Sequence, residues 1–531
     1  MKDIMTYANF LDLWAKAVPE TPFGRDVHEA PKLLFDMEQL EAIYDQTDTL
    51  LSLIRELKNE PARLALITHH LRRLPRLPEH DQRLFDEIEL FQIKKFLYNY
   101  RALMEQLPTE VRRVFSFDYR SQSLEDRMNL GRQDAETFYL ADDYSAELAN
   151  VRAEILETDV QAQALETKIT LEIKERYGFD LHNRAFLLVP KNCLKDLDSA
   201  SHLLIIEPYD DNLYSVRSVK CAAAIALAER RQNLAQRERI CEEAVLEAIA
   251  KDVHAEFPKL SEYINTALTF DLAWARARMA AELDLTRPRL RRGNSIRVTK
   301  GRFPPCESIC AEHGVKYNPL DAVFESGATV IFGSNMGGKT VVLQTTALLQ
   351  LAAQAGLFVP AYEFETRIFK AFYYIGERRG SHIHQGLSGF GIEMRQFINA
   401  WQSMCMDTEE TLVLMDEFAS TTNSSEAEAI LAAILEAVSQ KTNSCVICST
   451  HFHRLPRLPK VSFLRMAGLE QKHLPTEPGA NPISEIARHM SYRLIADDGK
   501  QSSDAIAIAQ MLGLDKELVQ RAELFFNSQQ T

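Results

Sequence analysis

Cysteine is scarce in this chain. Eight cysteines among 531 residues cannot form a disulfide framework for a fold of this size. Long apolar runs are missing too: no stretch is long and clean enough to span a bilayer as a helix, so no membrane partner is expected. The opening Met1-Lys2-Asp3-Ile4-Met5-Thr6 lacks the charged-then-apolar layout of a secretory leader, and the expected compartment is the cytoplasm. Nor is positive charge in excess. There are 61 Lys and Arg against 75 Asp and Glu, a formal net charge of -14. That argues against a surface coated in positive charge for nucleic acid, while a local basic groove stays open. Low-complexity tracts are absent. With 46% hydrophobic and 26% charged residues, the chain has the composition of an ordinary folded protein, and its length suggests about three or four domains.

Two cysteine groups have metal-like spacing. Cys445 and Cys448 lie in Ser-Cys-Val-Ile-Cys-Ser, which reads as a buried strand and has no second CxxC to complete a zinc site. Cys306, Cys310 and His313 lack an evident fourth ligand and read as core or loop thiols.

The first part of the chain is helical in pattern. Apolar residues recur at helical spacing from Leu84 to Tyr98, after a break at Arg73-Leu-Pro-Arg-Leu-Pro-Glu. A long helix is expected from about Asp143 to Tyr177, with Leu148, Val151, Ile155, Ala162, Leu165 and Ile169 on one face. Another is expected from about Val219 to Val253, where Leu227, Leu234, Cys241 and Ala248 step by seven. Between them, Ala185-Phe-Leu-Leu-Val-Pro and His202-Leu-Leu-Ile-Ile-Glu-Pro read as strands. The pattern is a lever of two helices with a small β tip. A further helical piece is expected over 258–284. The basic stretch Thr286 to Arg302 could touch phosphates but reads better as a solvated junction. From about residue 320, strands alternate with helices, the mark of an α/β domain.

The chemistry concentrates there. Gly333-Ser334-Asn335-Met336-Gly337-Gly338-Lys339-Thr340 fits G-x-x-x-x-G-K-[ST] in full. An apolar strand, Ala328 to Phe332, precedes it, and a helical sequence from Val341 follows. A triphosphate needs several backbone N–H groups pointing inward, and glycines let the loop curl closely enough to supply them. The following helix adds its N-terminal partial charge. Lys339 would reach the outer phosphates, and the Thr340 hydroxyl would bind Mg²⁺. Downstream, the apolar strand Thr411 to Met415 ends in Asp416 and Glu417. Asp416 would hold the magnesium, and Glu417 could polarise an attacking water. The strand Ser444 to Ser449 ends in Thr450-His451, where the histidine could sense a γ-phosphate. ATP and Mg²⁺ are the expected cofactors.

These residues resemble the MutS family of ATPases. The phosphate loop is similar to that family's Gly-Pro-Asn-Met-Gly-Gly-Lys-Ser, including Asn335-Met336. Leu412 to Glu417 matches its Leu-Val-Leu-Met-Asp-Glu, Asn318-Pro319-Leu320 its Asn-Pro-Leu, and Thr450-His451 its Thr-His switch. Ser388-Gly-Phe-Gly-Ile-Glu-Met394 is similar to its Ser-Thr-Phe-Met-Val-Glu-Met signature. The terminal sequences around Asp504 and Gly513 resemble its dimerisation segment. The resemblance covers roughly residues 85–525 and is most specific over 318–455.

It implies a mixed fold: an all-α core and lever domain with a small β clamp tip, followed by an α/β P-loop NTPase domain. The implied divisions are an N-terminal helical region (1–142) and lever helices (143–258) with the clamp at about 180–218. A helical core and junction (259–315), the ATPase domain (316–500) and a dimerisation segment (501–531) complete them. It also implies a homodimer or a heterodimer with a related subunit, in which Ser388 faces the partner's γ-phosphate. The pattern has departures. The mismatch-reading N-terminal domain is not expected, and Phe85-Asp-Glu87 reads as part of an amphipathic helix. Leu204 to Pro208 is closer to the short clamp of the second MutS branch, yet that branch's nuclease-like C-terminal domain is not expected here. Phe418-Ala-Ser-Thr-Thr-Asn replaces the family's Gly-Arg-Gly-Thr-Ser-Thr. Two functions follow: clamp movement on mismatched or branched DNA, in repair or recombination, or ATP-dependent reactivation of a cobalamin-dependent aminomutase, with a protein client.

Overall fold

The computed structural model describes the chain except for residues 80–83, 135, 183, 195–201, 335–336, 377–388, 407–409, 421, 453, 470–485, 487, 500–503 and 529–531. It divides into two compact units. One comprises Met1–Arg72, Gln106–Ser116 and Thr266–Thr531; the other comprises Arg73–Glu105 and Phe117–Asn265. No helix among the described residues is long and apolar enough to cross a membrane.

The unit containing Arg73–Glu105 is built on helices. The helix Glu87–Gln106 starts from a reciprocal cap, in which Asp86 Oδ1 accepts from the Glu89 amide at 2.7 Å and Glu89 Oε2 accepts from the Asp86 amide at 3.1 Å. Phe85 is buried just ahead of it. Phe85-Asp86-Glu87 therefore forms the helix start, not its interior, because the Asp86 side chain bonds the first-turn amide. The helix Ala146–Tyr177 buries Leu148, Val151 and Ile155 with Leu234 and Cys241, and Arg152 bonds Asp142, Glu238 and Glu242 at 2.8–2.9 Å. Ala162 and Ala248 are exposed, contrary to expectation. A strict step of seven drifts around a straight helix, and the buried stripe instead runs through Cys241, Val245 and Ile249.

Ala222–Leu283 is one continuous helix with Pro258 inside it, where the sequence suggests two pieces. An interior proline costs about 3 kcal/mol. Buried Val253, Leu260 and Tyr263 flank it, and the Tyr263 ring stacks on Tyr100 at 4.6 Å. Three strands, β1 (Leu187–Pro190), β2 (Leu204–Pro208) and β3 (Leu213–Ser218), pair antiparallel in the order β1-β3-β2. Their small core joins Ile173, Leu181, Val189, Leu204 and Val216.

The other unit holds two sheets. Strands β4 (Arg289–Leu290), β5 (Ser295–Gly301), β6 (Leu320–Glu325) and β8 (Glu363–Thr366) form one, in the order β4-β8-β5-β6. The basic stretch thus contributes strands instead of a bare junction. Arg287 bonds Glu41, Asp45 and Asp48, acids four and three residues apart on one face of the helix Met37–Glu56. Arg289, Arg291 and Arg297 all approach Glu365.

The second sheet has six strands: β7 (Gly327–Phe332), β9 (Ala371–Ile375), β10 (Thr411–Asp416), β11 (Ser444–Thr450), β12 (Val461–Leu469) and β13 (Met490–Ala496). Their order is β13-β12-β7-β11-β10-β9. All neighbours are parallel except β12 and β13. Strands covered on both faces read as continuous apolar runs, and every residue of β7 and β11 is buried. One face, through Ala328, Val330, Val413, Met415, Val446 and Cys448, packs on the helices Gly389–Cys405 and Ser424–Ser439. The helix Lys339–Gln354 packs against β10 and β11.

Candidate functional site

In a parallel sheet the functional side chains gather where the strands end, because each strand delivers its last residues to the same edge. Strand β7 leads into the loop Gly333–Gly338, which opens the helix Lys339–Gln354. Strand β10 delivers Asp416 and Glu417, and β11 delivers Thr450 and His451. The register places Asp416 opposite Ser449, and Thr450 opposite Phe332. Strand β11 therefore lies between the loop strand and the acidic strand. All three predicted segments reach one edge.

The glycines are needed there for space. Gly338 caps the helix with φ of 90°, and a Cβ on it would meet the Tyr492 ring at 3.1 Å; one on Gly337 would lie 3.1 Å from the Ser334 carbonyl. Lys339 is buried. Its Nζ donates to the carbonyls of Gly333 (2.6 Å) and Ser334 (3.2 Å) and lies 3.3 Å from Glu417 Oε1. Burial pushes the Lys339 ammonium below its ordinary range, and Glu417 pulls in the opposite direction.

Asp416 is gripped at both oxygens. Oδ1 accepts from Ser449 Oγ at 2.6 Å and from Thr340 Oγ1 at 3.3 Å, and Oδ2 accepts from the Tyr7 hydroxyl at 3.2 Å. Glu417 has φ of 51°, a left-handed backbone uncommon outside glycine. Its amide donates to Ser449 Oγ at 3.0 Å. Ala419, also left-handed with φ of 61°, donates its amide to the buried Glu393 carboxylate at 2.8 Å. Non-glycine residues held in this region store strain that the surroundings must offset. Here Ser449 and Glu393 supply the hydrogen bonds that hold the turn.

The residues fit a magnesium–nucleotide. Thr340 and Asp416 bring a hydroxyl and a carboxylate within 3.3 Å of each other, oxygen donors of the type a hard cation takes. Ser334 Oγ and His451 Nδ1 are buried with no hydrogen-bond partner among the described residues, which leaves polar capacity at this edge. Beside Gly338 is a cavity of about 500 Å³, lined by Cys306, Cys310, Tyr317, Val342, Met466 and Tyr492 among others. Asn335, Met336 and Ser388 lie outside the described residues. Cys445 and Cys448 are both buried in β11. Three positions apart on a strand, they face opposite sides of the sheet, so they are no chelating pair. Burial raises the Cys445 thiol to about 12.

Sequence reasoning missed Tyr7, Ser449 and Glu393. Glu393 stood within the Ser388–Met394 signature and Ser449 ended an identified strand, but neither motif states what its side chain holds. Tyr7 carries no motif at all.

Strand order and loop position define an α/β domain of the P-loop NTPase type. Comparison with known proteins narrows this. Residues 329–529 match the family model for MutS domain V. The chain is also similar to proteins named Endonuclease MutS2. That of Lactobacillus acidophilus is 28% identical over 309 residues, 57% of this chain and 36% of the relative. That of Lactobacillus gasseri is 29% identical over 314 residues, 59% of this chain and 37% of the relative. That of Pediococcus pentosaceus is 25% identical over 490 residues, 92% of this chain and 54% of the relative. The aligned parts thus span about a third to a half of the relatives' length. Together the domain match and the relatives support a MutS family protein. Proteins of this family are ATPases, and domain V carries the ATPase site.

Proposed function

We propose that this chain binds ATP with Mg²⁺ at the edge of the six-stranded sheet, hydrolyses it, and uses the cycle to move a MutS-type clamp on DNA. One observation carries the nucleotide reading: Lys339, Thr340, Asp416 and Glu417 meet within hydrogen-bond reach at the ends of parallel strands. In this reading the backbone of Gly333 to Gly338, Ser334, Asn335 and Met336 included, wraps the phosphates. Lys339 exchanges its loop carbonyls for phosphate oxygens. Thr340 and Asp416 hold the magnesium, which supplies charge neutralisation when bound. Glu417 orients a water and accepts its proton, and His451 reports the γ-phosphate. The cavity beside Gly338 takes the nucleoside.

The helices Ala146–Tyr177 and Ala222–Leu283 serve as levers, and β1 to β3 as the clamp tip. Residues 501–531 serve as the dimerisation segment. Within its helix Lys516–Ser528, Leu518 and Phe525 are exposed, seven residues apart on one apolar face suited to a partner. Ser388 acts across that dimer. Turnover that stays normal and monomeric in Ser388→Arg would remove this role across the dimer.

The client is DNA on the strength of the family, and a protein such as an aminomutase on the strength of the tip. Residues 185–220 carry about as many acids as bases, and Arg217 is already paired with Glu207. Binding of branched duplex at several salt concentrations separates the two. A steep loss of affinity with salt supports DNA; no binding at low salt supports the protein client.

A further inference from the structure

The N-terminal segment follows the helix Lys339–Gln354 from end to end. At its far end, the Leu34 amide donates to the Gln354 carbonyl at 2.7 Å and the Tyr44 hydroxyl to the Ala353 carbonyl at 2.6 Å. Near its start, Gln344 Nε2 donates to the Tyr7 carbonyl at 3.0 Å. The Tyr7 ring stacks on Tyr374, with centroids 3.9 Å apart. Tyr374 belongs to β9, the neighbour of β10. The Tyr7 hydroxyl is thereby fixed from two sides. It lies 3.2 Å from Asp416 Oδ2 and 3.3 Å from the Thr340 carbonyl.

A phenol has one proton to donate. Both contacts are longer than the 2.7–2.8 Å or so usual between oxygens, so that proton is shared between the two residues read above as the magnesium pair. The carboxylate's other oxygen is bonded by Ser449 and Thr340. Tyr7 thus holds the Asp416 oxygen that Ser449 and the Thr340 hydroxyl leave open, and links it to the Thr340 backbone. From the assignment of Thr340 and Asp416 to the magnesium site, on which this step rests, we infer that Tyr7 is a positioning residue for magnesium. It is contributed by a segment more than 330 residues away in sequence from Thr340.

The segment also has an anchor. Asp271 accepts from the amides of Glu20 and Thr21 and from Thr21 Oγ1 at 2.6–2.9 Å. Gly24 fits against it only without a side chain, since a Cβ there would lie 2.5 Å from Asp271 Oδ2. Tyr7 therefore stands on a braced segment, as a group that orients another must.

The test uses the whole chain and a fluorescent ATP analogue, with binding measured across a magnesium titration and in EDTA. Tyr7→Phe keeps the ring stack and removes the hydroxyl. The magnesium concentration giving half-maximal tightening should rise about fivefold to tenfold, as expected for the loss of one hydrogen bond of ordinary strength, with affinity in EDTA unchanged. An unchanged or lowered magnesium requirement in Tyr7→Phe would overturn the assignment, the lowered case showing instead that the hydroxyl competes with the cation. An equal loss of affinity with and without magnesium would also overturn it, since a merely structural role gives that pattern. A wild-type protein that binds no nucleotide in either condition would remove the nucleotide reading itself.

Discussion

The six-stranded and the three-stranded sheets are built in opposite ways. The six-stranded sheet is parallel at its centre and buried on both faces, and its strand ends bring Lys339, Thr340, Asp416, Glu417 and Ser449 together. The three-stranded sheet β1-β3-β2 is antiparallel, with a core of a few residues and exposed Phe186, Leu188 and Tyr209 about it. In the first, chemistry is written in residue identity at fixed places. In the second, what matters is a surface, and a surface of mixed charge specifies no partner.

The largest test of this contrast is Lys339→Ala. Loss of the buried ammonium should weaken ATP binding at least about 100-fold, as for truncation of a buried charged group in contact with its ligand, measured by equilibrium titration. Wild-type affinity in that variant would break the comparison. Glu417→Gln sharpens it: ATP binding should persist while single-turnover hydrolysis falls about 100-fold or more. Loss of binding along with turnover would assign Glu417 to loop structure through its contact with Lys339.

A smaller effect concerns the braced N-terminal segment. Burial alone would raise the Glu20 carboxyl, but the hydrogen bond from Arg72 and the charge of Arg278 outweigh it, and the group is held below its ordinary range. A depressed carboxyl contributes stability that is present above its unfolded value and is lost as pH falls through the folded one. Glu20→Gln should cost about 1 kcal/mol near neutrality, because both arginines are partly exposed and solvent screens the pairs. The gap from wild type in urea titrations should close below the usual carboxylate range. A gap constant with pH would mean packing, not charge. The smallest expected effect is at the three-stranded sheet. Phe186→Ser with Tyr209→Ser should leave ATP affinity within about twofold, since sites that share no partners act independently; a larger change would show the two regions to be coupled.

The parts legible in the sequence were those where local pattern and chemistry coincide. The phosphate loop needs particular residue types at particular steps, and the buried parallel strands read as unbroken apolar runs. The long helices were visible through Leu148, Val151 and Ile155, but Ala248 misled because a heptad count ignores helical drift. The helix Ala222–Leu283 was divided at Pro258 because a local rule cannot weigh the packing of Val253, Leu260 and Tyr263. The strands β4 and β5 hid in a basic run whose acid partners lie far along the chain: Glu41, Asp45 and Asp48 for Arg287, and Glu365 for Arg289, Arg291 and Arg297. Tyr7 was invisible for the same reason: a tyrosine acquires meaning at Asp416 only once the chain has folded back to it.

The central claim is that magnesium and a triphosphate meet between the glycine loop and Asp416. Titration of a fluorescent ATP analogue into wild type and Asp416→Asn, each with and without Mg²⁺, tests it most directly. The wild type should bind more tightly when magnesium is added, and Asp416→Asn should show little or none of that gain while keeping its magnesium-free affinity. An equal magnesium-dependent gain in both proteins would contradict the account.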